Sequence, residues 1–359
     1  MQIAVIGTVG VPANYGGFET LAENLVKHHE AMSSLDSMTV YCSSKSYSVK
    51  KTSYLSARLK YVPLNANGAQ SILYDILSLL SAVWNRSDMI LLLGVSGAIA
   101  LPLVRLFSSA HIVTNIDGIE WRRQKWQGLT KYFLRFLERM AVRFSDKVIA
   151  DNAAIADYVR ETYGVESAVI AYGGDHAVAV RAAPVDEYGL PDKYAFSVCR
   201  IEPENNVHLI VEAFSRQLEI PLVMVGNWNN SEYGQEIRVR HAACGHLYLL
   251  DSIYDLGKLK TLRSQTLFYV HGHSAGGTNP SLVEAMHFAK PVFAFDCSFN
   301  RATTEGKAMF FANCDELLQL IKVFKTPLDE DVGRDLLVVA QRRYTWNVVA
   351  EQYFSILKR

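Results

Sequence analysis

Short apolar segments alternate with amphipathic ones along almost the whole chain, and this alternation is the strongest constraint on its fold. The first half contains QIAVIGT, MTVYCS, LKYVPL, MILLLG, AHIVTNID and DKVIAD, and the second half contains YAFSVCR, PLVMVGN, HLYLLD, TLFYVHG and PVFAFD. Strands that alternate with helices predict parallel sheets with helices on both faces. A chain of 359 residues is longer than a domain with a single hydrophobic core usually is, so the sequence predicts an α/β protein with two doubly wound domains.

A change of composition marks the boundary between the two domains. The first series of strands ends near Tyr172, and a stretch rich in Gly, Pro and Ala precedes a new strand at Lys193. The last segment, YTWNVVAEQYFSILKR, has helical spacing of its apolar residues. The predicted parts are a first domain over 1–172, a linker over 173–192, a second domain over 193–338 and a C-terminal helix over 339–359. Ligands of such domains bind at the carboxyl ends of the strands, so we expect a crevice there.

Charge, cysteines and hydropathy exclude several classes of protein. Lys and Arg number 36, as do Asp and Glu, so the chain has no overall attraction to nucleic acid. The five cysteines are scattered without a CxxC spacing, which argues for a reducing cytosol and against a disulfide framework or a zinc site. The start, MQIAVI, is typical of a strand rather than of a secretory signal. MILLLGVSGAIALPLVRLF is interrupted by glycine and proline, and it predicts a buried strand followed by a buried helix.

The stretch HSAGGTNPSLVEAM, which starts at His273, brings two glycines to the start of a helix. Asn279 fits the N-cap and Pro280 the first helical position. Unpaired N–H groups and the helix dipole at such a start favour a phosphate, although a plain helix cap with two loop glycines fits equally well. The predicted core face is Leu282, Ala285, Met286 and Ala289. Glu284 lies opposite that face, so it is either solvated or directed at a ligand, and the spacing alone favours solvation.

The segment VCRIEPENNVHLIVEAF places Arg200 at the predicted carboxyl tip of a strand. An arginine there can bind a diphosphate through paired, charge-assisted hydrogen bonds. A surface arginine paired with Glu202 or Glu204 is the alternative.

The N-terminal loop GTVGVPANYGGFET is rich in glycine but lacks the dinucleotide-binding pattern GxGxxG. The second strand ends in Cys42-Ser43, where a ribose-binding acid is expected in nicotinamide enzymes. The loop therefore argues against a nicotinamide cofactor. Gly16 and Gly17 precede a helix, and a tight turn explains them as well as a ligand does.

A basic and aromatic segment spans residues 121–144. Its predicted helical apolar face is Leu129, Tyr132, Phe133, Phe136, Leu137, Met140 and Phe144. Its cations are Arg122, Arg123, Lys125, Lys131, Arg135, Arg139 and Arg143, the last four repeating every four residues. Such a surface suits an anionic membrane or a lipid diphosphate, whereas spacing alone favours the solvated face of a core helix.

Four motifs in this order, IGTVGVPANYGGFET, NIDGIEW, CRIEPENNVHLIVEAF and HSAGGTNPSLVEAM, resemble the retaining glycosyltransferases of family 4. The resemblance covers nearly the whole chain and is closer still to the bacterial rhamnosyltransferase branch of capsular and exopolysaccharide synthesis. It implies the GT-B fold, with two Rossmann-like domains facing across a cleft and a last helix that crosses back to the first domain.

The resemblance also implies roles for individual residues. Arg200 would bind the donor diphosphate, and Glu284 would accept hydrogen bonds from the nucleoside sugar. Gly16 and Gly17 would let the first-domain loop approach the donor. Asp117 stands where many relatives place a histidine beside the transferred sugar. The remaining donor-binding positions would be Asn205, His273, Gly277, Thr278 and Asn279, although His273 is equally well explained as structural.

Two positions depart from the pattern of relatives. Asn205 stands where a lysine is frequent, and Gly276 where an acidic residue is frequent. Arg200 and the helix start would then bind more of the phosphate charge. No metal is expected, because Asp329 and Asp331 are explained by the negative charge favoured at a helix start.

The resemblance, together with the basic segment, implies a metal-independent retaining hexosyltransferase on the inner face of a bacterial membrane. The expected donor is dTDP-rhamnose and the expected acceptor a lipid-linked saccharide of cell-surface polysaccharide synthesis, with no nucleic acid involved. A GT-B sugar-nucleotide 2-epimerase and a catalytically degenerate sugar-nucleotide-binding protein are the alternatives. The sequence leaves the base, the sugar, the acceptor and the linkage open.

Overall fold

The computed structural model describes residues 1–13, 16–33, 35–122, 126–324 and 326–357, without the side chains of 326–330. The chain divides into two compact units, one formed by residues 1–172 with 347–359 and the other by residues 173–346. Both units are α/β, so the predicted fold class is confirmed.

The first unit is built on an eight-stranded sheet. Its strands are β1 (Gln2–Ile6), β2 (Ser37–Ser43), β3 (Ser53–Tyr54), β4 (Ala57–Val62), β5 (Met89–Leu93), β6 (His111–Asn115), β7 (Lys147–Ala150) and β8 (Ala168–Val169), in the order β3-β4-β2-β1-β5-β6-β7-β8. Every pair is parallel except β3 with β4, a short antiparallel pair that the sequence pattern does not reveal. All five residues of β5 are buried, as expected for a central strand covered by helices on both faces.

The helices that cover this sheet are α1 (Gly17–Ala31), α2 (Ser71–Trp84), α3 (Leu101–Phe107), α4 (Gly128–Phe144) and α5 (Ala153–Tyr163).

The second unit has a six-stranded, fully parallel sheet. Its strands are β9 (Ala195–Val198), β10 (Leu222–Val225), β11 (Leu247–Leu250), β12 (Phe268–His271), β13 (Val292–Phe295) and β14 (Met309–Phe311), in the order β11-β10-β9-β12-β13-β14. Its helices are α6 (His176–Ala179), α7 (Val207–Ser215), α8 (Glu232–Arg240), α9 (Leu256–Gln265), α10 (Pro280–Met286), α11 (Ser298–Thr304), α12 (Cys314–Val323) and α13 (Thr326–Arg343). The rings of Phe268 and Phe293 stack at 4.3 Å in the core. Burial of each such ring contributes about 1.5–3 kcal/mol and fixes the strands whose ends carry the site.

The units differ from the predicted parts at two places. Residues 173–192, predicted as a linker, lie inside the second unit and include α6. The last helix, α14 (Trp346–Leu357), is separate from α13 and packs on the first unit, where Phe354 stacks on His28 at 5.6 Å.

Helices α3 and α4 both expose apolar side chains. In α4 only the second half is covered, and Leu129 and Tyr132 are 87% and 72% exposed. In α3, Leu101 and Val104 are buried whereas Leu106 and Phe107 are 77% and 75% exposed, so the helix predicted to be buried after β5 is buried on one side and exposed on the other. Spacing identifies an apolar stripe but does not reveal whether another element covers it. Among the described residues, no helix is both long and apolar enough to cross a membrane.

Candidate active site

Two loops meet at the carboxyl edge of the second sheet. Strands β9 and β12 pair in parallel, so the loops that follow them leave the same edge. The backbone N–H of Ser274 donates to the carbonyl of Glu204 at 2.9 Å, and Asn206 Nδ2 donates to the carbonyl of Gly272 at 2.8 Å. A Cβ on Gly272 would lie 2.1 Å from the carbonyl oxygen of Asn205, so only glycine allows this approach.

Arg200 projects from the first of these loops into solvent. Strand β9 ends at Val198, two residues before the predicted tip, and the Arg200 side chain is 49% exposed. Its Nη1 lies 3.8 Å from Glu202 Oε1, which is too long for a strong hydrogen bond. No other carboxylate in the described residues comes within 4.0 Å of Arg200. The guanidinium is therefore available to an anion at this edge.

Asn205 holds both Arg200 and His273 from a buried position. Asn205 Nδ2 donates to the carbonyl of Arg200 at 2.7 Å, and its Oδ1 lies 2.8 Å from His273 Nδ1. Asn205 is 5% exposed, and both ends of its amide are engaged. It therefore orients the Arg200 backbone and the His273 ring rather than offering the charge that a lysine would bring.

The loop before α10 fits the predicted helix start. Asn279 is the N-cap, its Oδ1 accepts from the backbone N–H of Ser281 at 3.0 Å, and Pro280 opens the helix. Gly277 and Thr278 are buried. Gly276 has φ +97°, a conformation that an acidic residue would adopt only with strain. The backbone of this loop thus explains why this chain has a glycine there.

The predicted apolar face of α10 needs one correction. Leu282, Val283, Ala285 and Met286 are buried, whereas Ala289 lies in the turn beyond the helix with φ +53°. Helix α10 has only seven residues, so its dipole is short.

Glu284 is not solvated, and the expectation from its spacing is wrong. Its side chain is 17% exposed and forms an ion pair with Arg263, which is 4% exposed. Its Oε1 also lies 3.2 Å from His176 Nε2. Burial raises the pKa of Glu284, but the charge of Arg263 and the hydrogen bond from His176 outweigh burial and hold the pKa below its usual range. The spacing of one helix does not reveal that α6 and α9 cover this face.

His176 and Trp346 belong to the same network, and the sequence pattern missed both. Trp346 Nε1 donates to His176 Nδ1 at 3.0 Å, which leaves the ring proton on Nε2, where it faces Glu284. A Cβ on Gly174 would lie 2.7 Å from the backbone of Val283, so this segment packs directly on α10. The glycine pair Gly173-Gly174 could have indicated this close packing, but the Gly, Pro and Ala content of residues 173–192 favoured a linker instead.

Asp117 lies just beyond β6 in the first unit. It has φ +59°, and its backbone N–H donates to Asn115 Oδ1 at 2.8 Å. Its Oδ1 accepts from the hydroxyl of Tyr172 at 3.3 Å. Burial and the nearby Asp117 carboxylate raise the pKa of Tyr172 well above its usual value, so the phenol stays protonated and donates.

Gly16 and Gly17 start α1 and approach the same tyrosine. Gly16 is the N-cap with φ +130°, and a Cβ there would lie 1.8 Å from Glu19 Oε2. A Cβ on Gly17 would lie 3.6 Å from the ring of Tyr172. Glu19 in turn accepts from the backbone N–H of Val9 at 2.8 Å. The structure thus brings Gly17 and Asp117, predicted from separate motifs, to the same side chain, Tyr172.

The remaining predicted positions concern metal binding and the basic surface. The described residues hold no group of three or more His, Cys, Asp or Glu side chains that could bind a metal. Asp331 pairs with Arg334, and the Asp329 side chain lies outside those described. Arg122, Lys131 and Arg135 lie 5.2–5.4 Å from the ring of Trp121, while Arg139 and Arg143 are exposed and Arg123 falls outside the described ranges.

Two family models match the chain, one in each half. Residues 1–175 match the model described as Domain of unknown function (DUF1972), and residues 186–316 match the model described as Glycosyl transferases group 1. A phosphatidyl-myo-inositol mannosyltransferase from Mycobacterium leprae (strain TN) is 28% identical over 167 residues. The aligned part spans 43% of this chain and 43% of that relative, so the chain matches less than half of its length.

Solved structures with the same fold cover almost the entire chain. The sucrose-phosphate synthase of Thermosynechococcus elongatus superposes with a TM-score of 0.79 at 15% identity, over 99% of this chain and 98% of that one. Anabaena Alr3699/HepE, solved with UDP, superposes with a TM-score of 0.73 at 16% identity, over 99% of both chains. The chain therefore has the GT-B fold, and its residues 186–316 are similar to the group 1 glycosyltransferases.

Proposed function

We propose that this protein is a retaining glycosyltransferase in which Arg200 binds the diphosphate of a nucleotide-sugar donor. The main support is that the Arg200 guanidinium is exposed at the carboxyl edge of the second sheet. Its described carboxylate neighbour, Glu202, is 3.8 Å away. When the glycosidic bond breaks, the nucleoside diphosphate leaves with increased negative charge. A cation fixed in advance at that point stabilises the transition state more than the ground state. The backbone N–H groups of Gly277 and Asn279 act on the same phosphates.

Glu284 receives the hydroxyls of the nucleoside sugar in this proposal. Arg263 and His176 keep its carboxylate ionised and fix its orientation. A carboxylate has about four lone-pair sites, so two remain for hydroxyl donors after these two contacts. Preorganisation of this kind lowers the entropic cost of donor binding.

Asp117 acts beside the transferred sugar. Its carboxylate accepts a hydrogen bond from the Tyr172 hydroxyl, and its backbone N–H donates to Asn115 Oδ1, which fixes the backbone at this position. Gly16 and Gly17 keep the start of α1 free of side chains on the same unit.

The donor proposed is dTDP-rhamnose and the acceptor a lipid-linked saccharide of a bacterial capsule or exopolysaccharide. The sequence motifs that resemble the rhamnosyltransferase branch support the sugar. HepE structures with UDP and UDP-glucose support the nucleotide-sugar class, and the mannosyltransferase name, which includes a phosphatidylinositol, supports a lipid acceptor. The enzyme would then work as a peripheral protein on the inner face of the cell membrane.

Binding of the donor is tested by thermal unfolding in a panel of nucleotides and nucleotide sugars. A ligand at 100 times its Kd adds about 2.7 kcal/mol to the free energy of unfolding. We expect dTDP and dTDP-rhamnose to raise the midpoint more than UDP or GDP derivatives. A protein whose midpoint moves with none of them would contradict the proposed donor site.

Transfer is expected to continue in the presence of EDTA. The charge on the leaving diphosphate is met by Arg200 and by backbone N–H groups, so no divalent ion is required. The measurement compares the transfer rate with EDTA alone and with EDTA followed by excess magnesium or manganese. If EDTA abolishes transfer and either metal restores it, the metal-independent mechanism is wrong. Asp329 and Asp331 would then be the first residues to test as metal ligands.

A further inference from the structure

The helices α2, α3 and α4 of the first unit expose an unusual amount of apolar surface. Of the 24 large apolar side chains exposed among the described residues, 12 lie on these helices or on the turn before α3. We name this set the apolar face. Its members are Leu73, Leu77, Leu80, Trp84, Ile99, Leu103, Leu106, Phe107, Leu129, Tyr132, Phe133 and Phe136. Exposed apolar patches of this extent mark sites of interaction with proteins or membranes.

The apolar face consists of three solvent-facing stripes rather than scattered residues. On α4 its members recur at i, i+3, i+4 and i+7, and on α2 and α3 they recur with the same helical period. Each helix also has a separate buried stripe, which on α4 includes Leu137 and Ala141. Helix α3 packs against both α2 and α4, so the helices that carry the three stripes are neighbours. A helix that faces only water would carry polar residues on that side.

The charges on these helices are all of one sign at the surface. Their two acidic residues, Asp75 and Glu138, are each 3% exposed. Glu138 is occupied by the hydroxyls of Tyr158 and Tyr163 at 2.6 Å.

The exposed cations of α4 are Lys131, Arg135, Arg139 and Arg143. Within the described part of the chain, none of these four pairs with a carboxylate. A chain with no net charge therefore has a local positive surface beside its apolar face.

We propose that the apolar face docks on an anionic phospholipid bilayer, with the α4 cations on the headgroups. An amphipathic surface binds a bilayer by burying its apolar side at the acyl boundary and by attracting anionic lipid with its basic side. This deepens the proposed membrane location, on which it rests, because it assigns the contact to α2 and α3 as well as to the basic helix. A second copy of the chain fits less well, since a two-fold contact would bring the α4 cations of both copies together.

The test is sedimentation with vesicles of phosphatidylglycerol and phosphatidylcholine, compared with phosphatidylcholine alone. The apolar variant is Trp84→Gln, Leu106→Gln and Phe107→Gln, three positions that are 75–86% exposed. The matched control is Leu218→Gln, Val239→Gln and Tyr254→Gln in the second unit, at 69–78% exposure. We expect the apolar variant to lower vesicle binding at least about tenfold and the control to leave it unchanged.

Two further measurements separate this proposal from the donor site. Replacing the four α4 cations by glutamine should remove the dependence of vesicle binding on salt and on anionic lipid. Stabilisation by dTDP should survive in every variant, so a loss of donor binding would be a separate failure. Three outcomes overturn the proposal: wild-type protein that ignores anionic vesicles at low salt, an apolar variant that binds like the control, or a dimer in solution that the apolar variant dissociates.

Discussion

Replacing Arg200 by alanine is expected to lower kcat for glycosyl transfer by roughly 10²–10³-fold, the loss typical of removing one preorganised donor from a developing negative charge. The effect should appear in kcat more than in donor affinity, because the charge on the diphosphate grows as the bond breaks. The variant should fold normally, since the Arg200 side chain is 49% exposed and its one described carboxylate contact is long. Steady-state kinetics together with the unfolding midpoint provide the measurement.

A matched control exists in the same unit. Arg216 is 48% exposed and pairs with Glu212 at 2.8 Å, but it lies at the end of α7, away from the carboxyl edge of the sheet. Arg216→Ala should therefore keep transfer near the wild-type rate. If the folded Arg200 variant turns over as fast as this control, Arg200 does not bind the leaving group.

Replacing Glu284 by glutamine should remove donor binding and also destabilise the protein by about 3 kcal/mol. The neutral amide leaves the guanidinium of Arg263, 4% exposed, without its counter-charge. Spacing alone had suggested a solvated Glu284, for which almost no change in stability is expected. Calorimetry with dTDP measures the loss of binding, and chemical denaturation measures the loss of stability.

A double variant and the pH dependence identify the ion pair as the cause. Adding Arg263→Met to Glu284→Gln should recover part of the stability, because no unpaired buried charge is left. The pKa of Glu284 is lowered from 4.5, so its contribution is full above that pH and is lost as the pH falls through the folded-state pKa. The difference between wild type and Glu284→Gln should accordingly shrink below pH 4.5. A difference that does not vary with pH would contradict the ion-pair explanation.

The sequence was sufficient for features that depend on neighbouring residues. Alternation of apolar strands and helices predicted both sheets, and the N-cap at Asn279 follows from the residue types at a helix start. The sequence showed that Gly276 departs from the acidic residue frequent in relatives. The reason for a glycine there, a φ of +97°, is visible only in the folded loop.

Features that depend on distant residues could not be predicted. The environment of Glu284 is set by His176 and Arg263, which are 108 and 21 positions away in the chain. The stripes of α3 and α4 have the spacing of core helices, yet no described element covers them. The periodicity of a sequence shows that one side of a helix is apolar. Whether that side contacts a core, a membrane or another protein depends on how the helix packs.

The most direct test of the account is the release of dTDP from dTDP-rhamnose, measured with and without a lipid-linked saccharide acceptor. We predict that dTDP accumulates only when the acceptor is present, while rhamnose enters the lipid fraction with its anomeric configuration retained. Turnover of the donor without acceptor would instead indicate a 2-epimerase, and donor binding without turnover under either condition would indicate a catalytically degenerate binding protein.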